Sequence, residues 1–455
     1  LPSQIPPWPP TYHMLDSLIT MQKNTSGFSS PIRGSQFGLI SYDWSNAKEI
    51  WAKTKPMNCE ESLIEQVEKT KKATPQKTRG STRIFVYRNI VKALPWFRSV
   101  REKLDDPLYA GFFLKFDPKQ DTYHVPNCAP ENQTHCSDLY HDQEQTPQVA
   151  NPSDHADGVC EDYCDCGRHP CGEYLFDHRN GTMLRDWIIQ DLIVGPTAVG
   201  HPAVDGVFLD DFWCSTQLCD AATAAHNTTL LGCPCTDPVQ GPTEIDQYAQ
   251  SDMKLSNQDI ADITVAWNHT MTAVEQAVLE HKAYTWSLMA GQHNANAWPV
   301  FLSANATECT RVLREACTLD SQWQQQTMLF GFSVNTTRTA MTQFHQDLAF
   351  FLLARGDYAY AGWGQWGMTW PFQKEPADGE LPPLPYGVPL PNEFFDDYGV
   401  PTDQVCVETN HQIGVFRRKW SEVQVELDCT KFSASIVRYN NDNDNDNTIN
   451  TTQMK

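Results

Sequence analysis

Two adjacent carboxylates, Asp210 and Asp211, close the apolar run VDGVFLDDFW (204–213) and stand directly before two aromatic residues. A buried strand rarely ends in two acids unless the acids have work to do or a turn to cap. Paired carboxyls suit the cleavage of a glycosidic bond. One must be neutral to protonate the leaving oxygen, and its partner must be charged to attack or to activate water. Sugar rings present apolar C–H faces that stack on indoles, and the chain has 14 Trp. Adjacent strand residues face opposite sides, so the expectation is that only one of the two acids points into a cleft. A single Asp at a strand end is as readily a helix cap or a turn residue as a catalytic group.

Other polar residues fall at the ends of apolar runs in the same way. They are Asp43 with Trp44, Arg88 with Asn89, Asp117, Asp177 with His178 and Arg179, Trp286 with Ser287, and Trp363 with Gln365 and Trp366. The working assignment takes Asp211, Asp210 and Asp177 as catalytic carboxyls, with Asp43 and Asp117 near the substrate. Trp44, Trp213, Trp286, Trp363 and Trp366 line the sugar subsites, and Arg88 and Arg179 orient hydroxyls or lower a carboxylate pKa. No H-E-x-x-H and no nucleophilic serine with an evident base is present.

These residues need elements to hold them, and strands alternate with helices along the chain. FGLISYDWSN (37–46), STRIFVYRN (81–89), GFFLKFD (111–117), GEYLFDHRN (172–180), the run 204–213, AYTWSLM (283–289), TMLFGFS (327–333) and DYAYAGWGQW (357–366) read as strands. KALPWFRSVREKL (92–104), TMLRDWIIQDLIVG (182–195) closed by Gly195, and TQFHQDLAFFLLARG (342–356) read as helices. A long helix runs from about Asn257 to His281, because Ile260, Ile263, Trp267, Met271, Val274 and Val278 recur at steps of three and four.

That alternation predicts parallel pairing and an α/β chain, best a closed (β/α)8 barrel with its site at the C-terminal strand ends. A doubly wound sheet is the runner-up, but no G-x-G-x-x-G follows a first strand. The expected organisation is an N-terminal extension (1–36) and a barrel (37–370) carrying Cys-rich insertions at about 118–172 and 214–253. A Pro-rich loop with a small β element (371–432) and a low-complexity tail (433–455) follow.

Composition narrows the setting. The net charge is −22 from 34 Lys and Arg against 56 Asp and Glu, which offers no basic footprint for nucleic acid. No apolar run is long enough to span a membrane. Fifteen Cys accompany eight N-x-S/T sequons, at Asn24, Asn132, Asn180, Asn227, Asn268, Asn305, Asn335 and Asn450. Together they predict a secreted or cell-surface glycoprotein whose signal peptide has been removed. An odd cysteine count leaves one thiol over, either buried and free or available for covalent self-assembly. Cys160, Cys164, Cys166, His169 and Cys171 superficially resemble zinc ligands, but in an oxidising compartment they read as disulfides, so no metal and no cofactor is assigned. The Asn/Asp run at 440–447 reads as a solvated tail rather than a calcium site.

VDGVFLDDFW resembles the strand of glycoside-hydrolase-like TIM barrels in which an Asp-Gly pair and an apolar run precede the strand-end acids. The chain looks like a "hypothetical glycosyl hydrolase" group distantly similar to endo-α-1,4-polygalactosaminidases. YLFDHRNGTMLRDWI, IFVYRNIVKALPWF and IGVFRRKWSEVQVELDC are similar to other segments of that group, so the resemblance covers about 37–430. It implies a TIM barrel acting on carbohydrate. It matches Asp210 or Asp211 to the strand-end acid and Asp177 to an acid one strand earlier. The chain departs from the pattern in lacking a Glu at the end of AYTWSLM or TMLFGFS. That departure motivates an alternative, a non-catalytic barrel glycoprotein used in glycan binding or extracellular assembly. A metal-dependent hydrolase is a third class.

Overall fold

The computed structural model of the protein describes residues 8, 12–74, 82–117, 138–141, 164–166, 169, 171–224, 236–237, 241–242, 253–287, 306–319, 328–333, 341–363, 391–409 and 413–439. Five strands form a parallel sheet in chain order: β1 (Ile19–Gln22), β2 (Leu39–Tyr42), β3 (Arg83–Asn89), β4 (Gly206–Asp210) and β5 (Tyr284–Ser287). A second parallel pair, β6 (Met328–Phe332) and β7 (Ala359–Trp363), joins the free side of β1 through the parallel Leu18–Ala361 bridge. Neighbours in space are thus neighbours in sequence, the winding that curls a parallel sheet toward a barrel. Among the described residues the ring is not closed: β5 and β6 do not pair. The fold is mixed α/β with a five-stranded parallel sheet, an arrangement compatible with the expected barrel.

Helices connect and flank these strands. They include α1 (Cys59–Ala73), α2 (Arg98–Leu104), α3 (Thr182–Trp187, continued by a π-helical turn over Ile188–Ile193), α4 (Asn257–Glu280), α5 (Ala306–Ala316) and α6 (Phe344–Ala354). The long helix α4 begins at a capping box in which Ser256 and Asp259 satisfy each other's backbone. Its periodic residues Ile263, Trp267, Met271, Val274 and Val278 are buried, as the spacing predicts.

Strand register puts Tyr87 beside Phe208 and Phe208 beside Trp286, all on one face of the sheet. Phe208 packs its ring 5.8 Å from Tyr87 and 4.9 Å from Trp286. One layer toward the N-terminal ends, Phe85 and Tyr284 close on Trp8. Gly206 is required there, since a Cβ would meet the Tyr284 carbonyl at 2.2 Å and the Phe85 ring at 2.5 Å.

Three expectations about elements are corrected. Ile19–Gln22, inside the expected N-terminal extension, forms β1, so the extension contributes a strand to the sheet. GFFLKFD and GEYLFDHRN are not parallel barrel strands. They form a small antiparallel layer between β3 and β4, in which Lys92–Ala93 pairs with Tyr174–Leu175 and Phe113 bridges Phe176. An apolar run shows that a segment is buried but not the direction of its partner. The third correction lies at the C-terminus. β8 (Val407–Glu408), β9 (Val415–Lys419), β10 (Val423–Asp428) and β11 (Ser433–Arg438) form a four-stranded antiparallel sheet, so β11 claims residues from the predicted tail.

That sheet packs against α6 in a second apolar core with Phe350, Phe351, Trp420 and Val425. Arg418 donates to the Leu353 and Arg355 carbonyls and satisfies the end of α6. Disulfides Cys309–Cys429 and Cys317–Cys406 tie α5 and the residue after it to the sheet. Closing 120 residues with the first is worth roughly 4 to 5 kcal/mol in a chain-entropy account. Cys166–Cys171 is a third bridge, and Cys164, Cys214 and Cys219 are also disulfide-bonded, while Cys160 lies outside the described residues. Cys59 is the free thiol among the described residues. It is buried and donates to the Trp44 carbonyl, which places it out of reach of a second chain. No described helix is long and apolar enough to cross a membrane.

Candidate active site

β3 and β4 end side by side, with Asn89 in register with Asp210. Tyr87 and Asn89 therefore share a face with Asp210. The Tyr87 hydroxyl donates to Asp210 Oδ2 at 3.0 Å, and the Asn89 amide donates to the Tyr87 oxygen at 3.1 Å and to Asp211 Oδ2 at 2.7 Å. Both acids thus join one cluster, against the expectation that strand alternation would separate them. The reason is local. Asp211 leaves extended geometry with φ of 60°, a left-handed conformation that Asp tolerates better than most residues, and its side chain swings to the side of Asp210. Its N–H turns back to Asp210 Oδ1 at 3.0 Å.

A cation completes the group. Asn89 Oδ1 accepts from the Val91 and Lys92 amides at 2.9 and 2.7 Å, a tight turn that brings Lys92 back over the strand end. Lys92 Nζ lies 3.5 Å from Asp211 Oδ2 and 2.8 Å from Glu173 Oε2. Asp210 and Asp211 are joined through Asn89 and Tyr87 and through the Asp211 N–H at one strand end. Glu173 comes from the antiparallel layer, just after the Cys166–Cys171 bridge and before Tyr174, whose ring stacks on His141.

The electrostatics separate the members. Burial, and then the charge of Asp211, push the Asp210 carboxyl up to about 7; Lys92, Tyr87 and the Asp211 N–H pull the other way. Burial opposes charge on Lys92, but Asp211 and Glu173 outweigh it and hold the ammonium well above its ordinary range. Burial and the two aspartates likewise raise the Tyr87 phenol, so it stays a hydrogen-bond donor. A carboxyl that exchanges its proton near neutrality thus stands beside a second carboxylate, at the C-terminal end of parallel strands, over a floor of Phe208 and Trp286.

The remaining predicted residues make other contacts. Arg88 alternates away from Tyr87 and Asn89 and is fully buried in the helical layer. It donates to the Leu192 and Thr197 carbonyls and closes the π-helical turn after α3. It cannot orient a substrate. Asp177 caps the short turn His178–Asn180, and both its oxygens are taken by Arg179, which also binds Asp259 at 2.6 Å. Asp177 and Arg179 therefore form an ion-paired cap. Asp43, just past the end of β2, accepts from the Ser45 amide and hydroxyl, and its charge reaches Tyr87. Asp117 follows the Lys115–Leu139 bridge of the antiparallel layer.

Trp213 is fully buried, and Trp44 packs 4.5 Å from Trp96 and 6.4 Å from Trp51, so neither presents a face to a sugar. Trp286 lies 3 % exposed beneath the cluster as part of its floor. The Trp363 side chain, and Trp366 altogether, fall outside the described residues. Sequence reasoning misses Tyr87, Lys92 and Glu173. The parity of β3 could have revealed Tyr87. Nothing in the sequence marks Lys92 or Glu173, which meet through an antiparallel pairing that no local pattern shows.

Of the sequons, Asn180 is exposed and Asn24 half-buried. Asn268 is buried in α4 and donates to the Thr264 carbonyl at 2.9 Å, while the exposed Asn180 donates to the Gly111 carbonyl at 2.6 Å. Asn132, Asn227, Asn305, Asn335 and Asn450 lie outside the described residues. Among the described residues no group of His, Cys, Asp and Glu could hold a metal ion.

No protein-family model and no curated protein sequence matches the chain, so the likeness to polygalactosaminidases gains nothing from them. Solved structures similar to it include sucrose 6F-phosphate phosphorylase from Thermoanaerobacter thermosaccharolyticum, at 7% identity and a TM-score of 0.41, covering 94% of this chain and 96% of that one. An α-N-acetylgalactosaminidase, NagBb, from Bifidobacterium bifidum follows at 9% identity and a TM-score of 0.34, covering 93% of this chain. Trehalose-6-phosphate hydrolase from Bacillus licheniformis has 8% identity and a TM-score of 0.30, covering 75% of this chain. The chain spans 57% and 54% of the length of the last two. Likenesses this loose carry no residue role or substrate to this chain.

Proposed function

We propose that the protein is a secreted glycoside hydrolase acting on an oligo- or polysaccharide. Asp210 is the acid that gives its proton to the departing glycosidic oxygen. Asp211 is the carboxylate that either bonds to the anomeric carbon or takes a proton from the water that does. When water has added across the broken bond, Asp210 recovers a proton and the site is restored. The observation that carries this reading is the pair of carboxyls brought to one strand end, Asp210 held by the Tyr87 hydroxyl and Asp211 by the Asn89 amide, with burial and the Asp211 charge raising the Asp210 carboxyl. The disulfides and the exposed Asn180 sequon support secretion.

The test is hydrolysis of a broad panel of oligosaccharides and polysaccharides by the native protein, Asp210→Asn and Asp211→Asn. Loss of turnover by a factor of about 100 or more in each variant, with the native circular dichroism spectrum kept, supports both assignments. Absence of turnover by the native chain on every member, with glycan binding unchanged in the variants, replaces this reading with the non-catalytic barrel.

A further inference from the structure

Lys92 stands between carboxylates from two different structural layers. On one side is Asp211, 3.5 Å away at the end of β4. On the other is Glu173, 2.8 Å away on the antiparallel segment that the Cys166–Cys171 bridge precedes. The Lys92 backbone is fixed as well, because its N–H is bound by Asn89 Oδ1, the residue whose amide holds Asp211. The three side chains are only 13 to 26 % exposed, so water screens their interactions weakly.

We propose that Lys92, tethered by Glu173, is a positioning residue of this site: its ammonium fixes the Asp211 carboxylate against the Asn89 amide and leaves Asp210 as the group that carries the exchangeable proton. The inference rests on the glycoside-hydrolase reading for its catalytic consequence, but its electrostatic core stands apart from any substrate. Two adjacent acids in one enclosure otherwise compete for a proton, and neither has a defined role. A cation aimed at one of them breaks that symmetry. Glu173 moderates the cation, so that its full charge does not strip the proton from Asp210. The groups that face Asp210 are Tyr87 and Asn89 from β3, Asp211 from its own strand, and Lys92 with Glu173 behind it. Asp43 of the β2 end acts on Tyr87 from farther off.

Opposite charge changes must then act in opposite directions. Lys92→Met removes the positive charge, so Asp210 holds its proton to higher pH, by about one pH unit. Glu173→Gln removes the moderating negative charge, so Asp210 releases its proton at lower pH, by a smaller amount. Lys92→Arg keeps the charge and stays close to native. Two readouts are used on the full glycosylated chain. One is infrared difference titration of the protonated carboxyl, with Asp210→Asn as the blank. The other is the alkaline limb of kcat/KM on whichever panel glycan is turned over. The expected result is opposed displacements in both, with KM changed less than kcat.

Displacements of the same sign in Lys92→Met and Glu173→Gln, or an unmoved infrared titration in Lys92→Met, would overturn the proposal. Should Lys92→Met fail to fold, Glu173→Gln alone decides by the sign of its displacement. Should the native chain turn over no glycan, the hydrolase reading falls, and the infrared titration still decides the role of Lys92.

Discussion

Replacing Asp210 by Asn should stabilise the folded chain at alkaline pH while abolishing its proposed activity. Burial and the neighbouring Asp211 charge raise this carboxyl from 3.8 to about 7. The folded state therefore binds a proton more tightly than the unfolded chain does. Between those two values the native protein holds a proton that the unfolded protein has lost, so stability falls as pH rises, and the loss is complete above the folded value. A tenfold change in proton affinity corresponds to about 1.4 kcal/mol. Going from about pH 5 to about pH 8.5 crosses roughly the upper two-thirds of this window, which places the expected loss at up to about 3 kcal/mol. Proton sharing with Asp211 and relaxation of the cluster reduce that figure, so about 1 to 2 kcal/mol is the working expectation.

Asn is nearly isosteric and keeps an oxygen for the Tyr87 hydroxyl or the Asp211 N–H. It carries no charge at any pH. The assay is guanidinium unfolding of the native chain and Asp210→Asn with disulfides kept oxidised, at both pH values and in matched salt. The midpoint difference between the two proteins should widen toward alkaline pH at constant m-value. A difference that does not depend on pH would refute the reasoning, because it would mean that the site does not penalise the charged form of Asp210. A widening in favour of the native chain would refute it more strongly, since it would reverse the sign.

Two further outcomes follow from the placement of residues outside the cluster. Arg88→Ala should cost about 3 to 5 kcal/mol of stability by stranding buried carbonyls and the neighbouring Glu60, while leaving KM unchanged; thermal unfolding and kinetics on a turned-over glycan separate that from substrate orientation. Asn180→Gln should remove one glycan from the protein expressed in a glycosylating host, whereas Asn268→Gln should remove none. Intact-mass measurement before and after deglycosylation checks both.

Elements whose residues repeat over several turns or over a whole strand are legible in the sequence. The α4 spacing marks its buried face, and the apolar runs of β3 and β4 mark two central strands with their ends. The four residues of β1, ITMQ, carry too short a pattern to separate from a polar leader, and the sheet recruits them through backbone pairing with β2. GFFLKFD and GEYLFDHRN are as apolar as true barrel strands. Only their partners reveal that they belong to a layer above the sheet, and partners are a non-local property. The same limit governs the site. Asp210 and Asp211 stand out because two acids end an apolar strand. Arg88, Trp44 and Trp213 stand near strand ends too, and the parity of β3 turns Arg88 into the helices. Position along a strand locates a residue at the mouth of the sheet; only the face decides whether it meets a ligand or a helix.

Asp211 is where these two rules meet. In continued strand geometry it would have pointed with Arg88 and Leu209 toward the helical layer, and the cluster would have held one acid. Its left-handed backbone breaks the alternation one residue past Asp210 and returns its carboxylate to the side of Tyr87 and Asn89. Such a conformation costs on the order of 1 kcal/mol for a residue other than Gly, and it persists only where surroundings enforce it. Here the enforcing groups are the Asn89 amide, the Lys92 ammonium and the Asp210 carboxylate that receives the Asp211 N–H. The strain, the cation and the raised carboxyl are therefore consequences of one arrangement, in which consecutive residues of a strand are brought to bear on the same point.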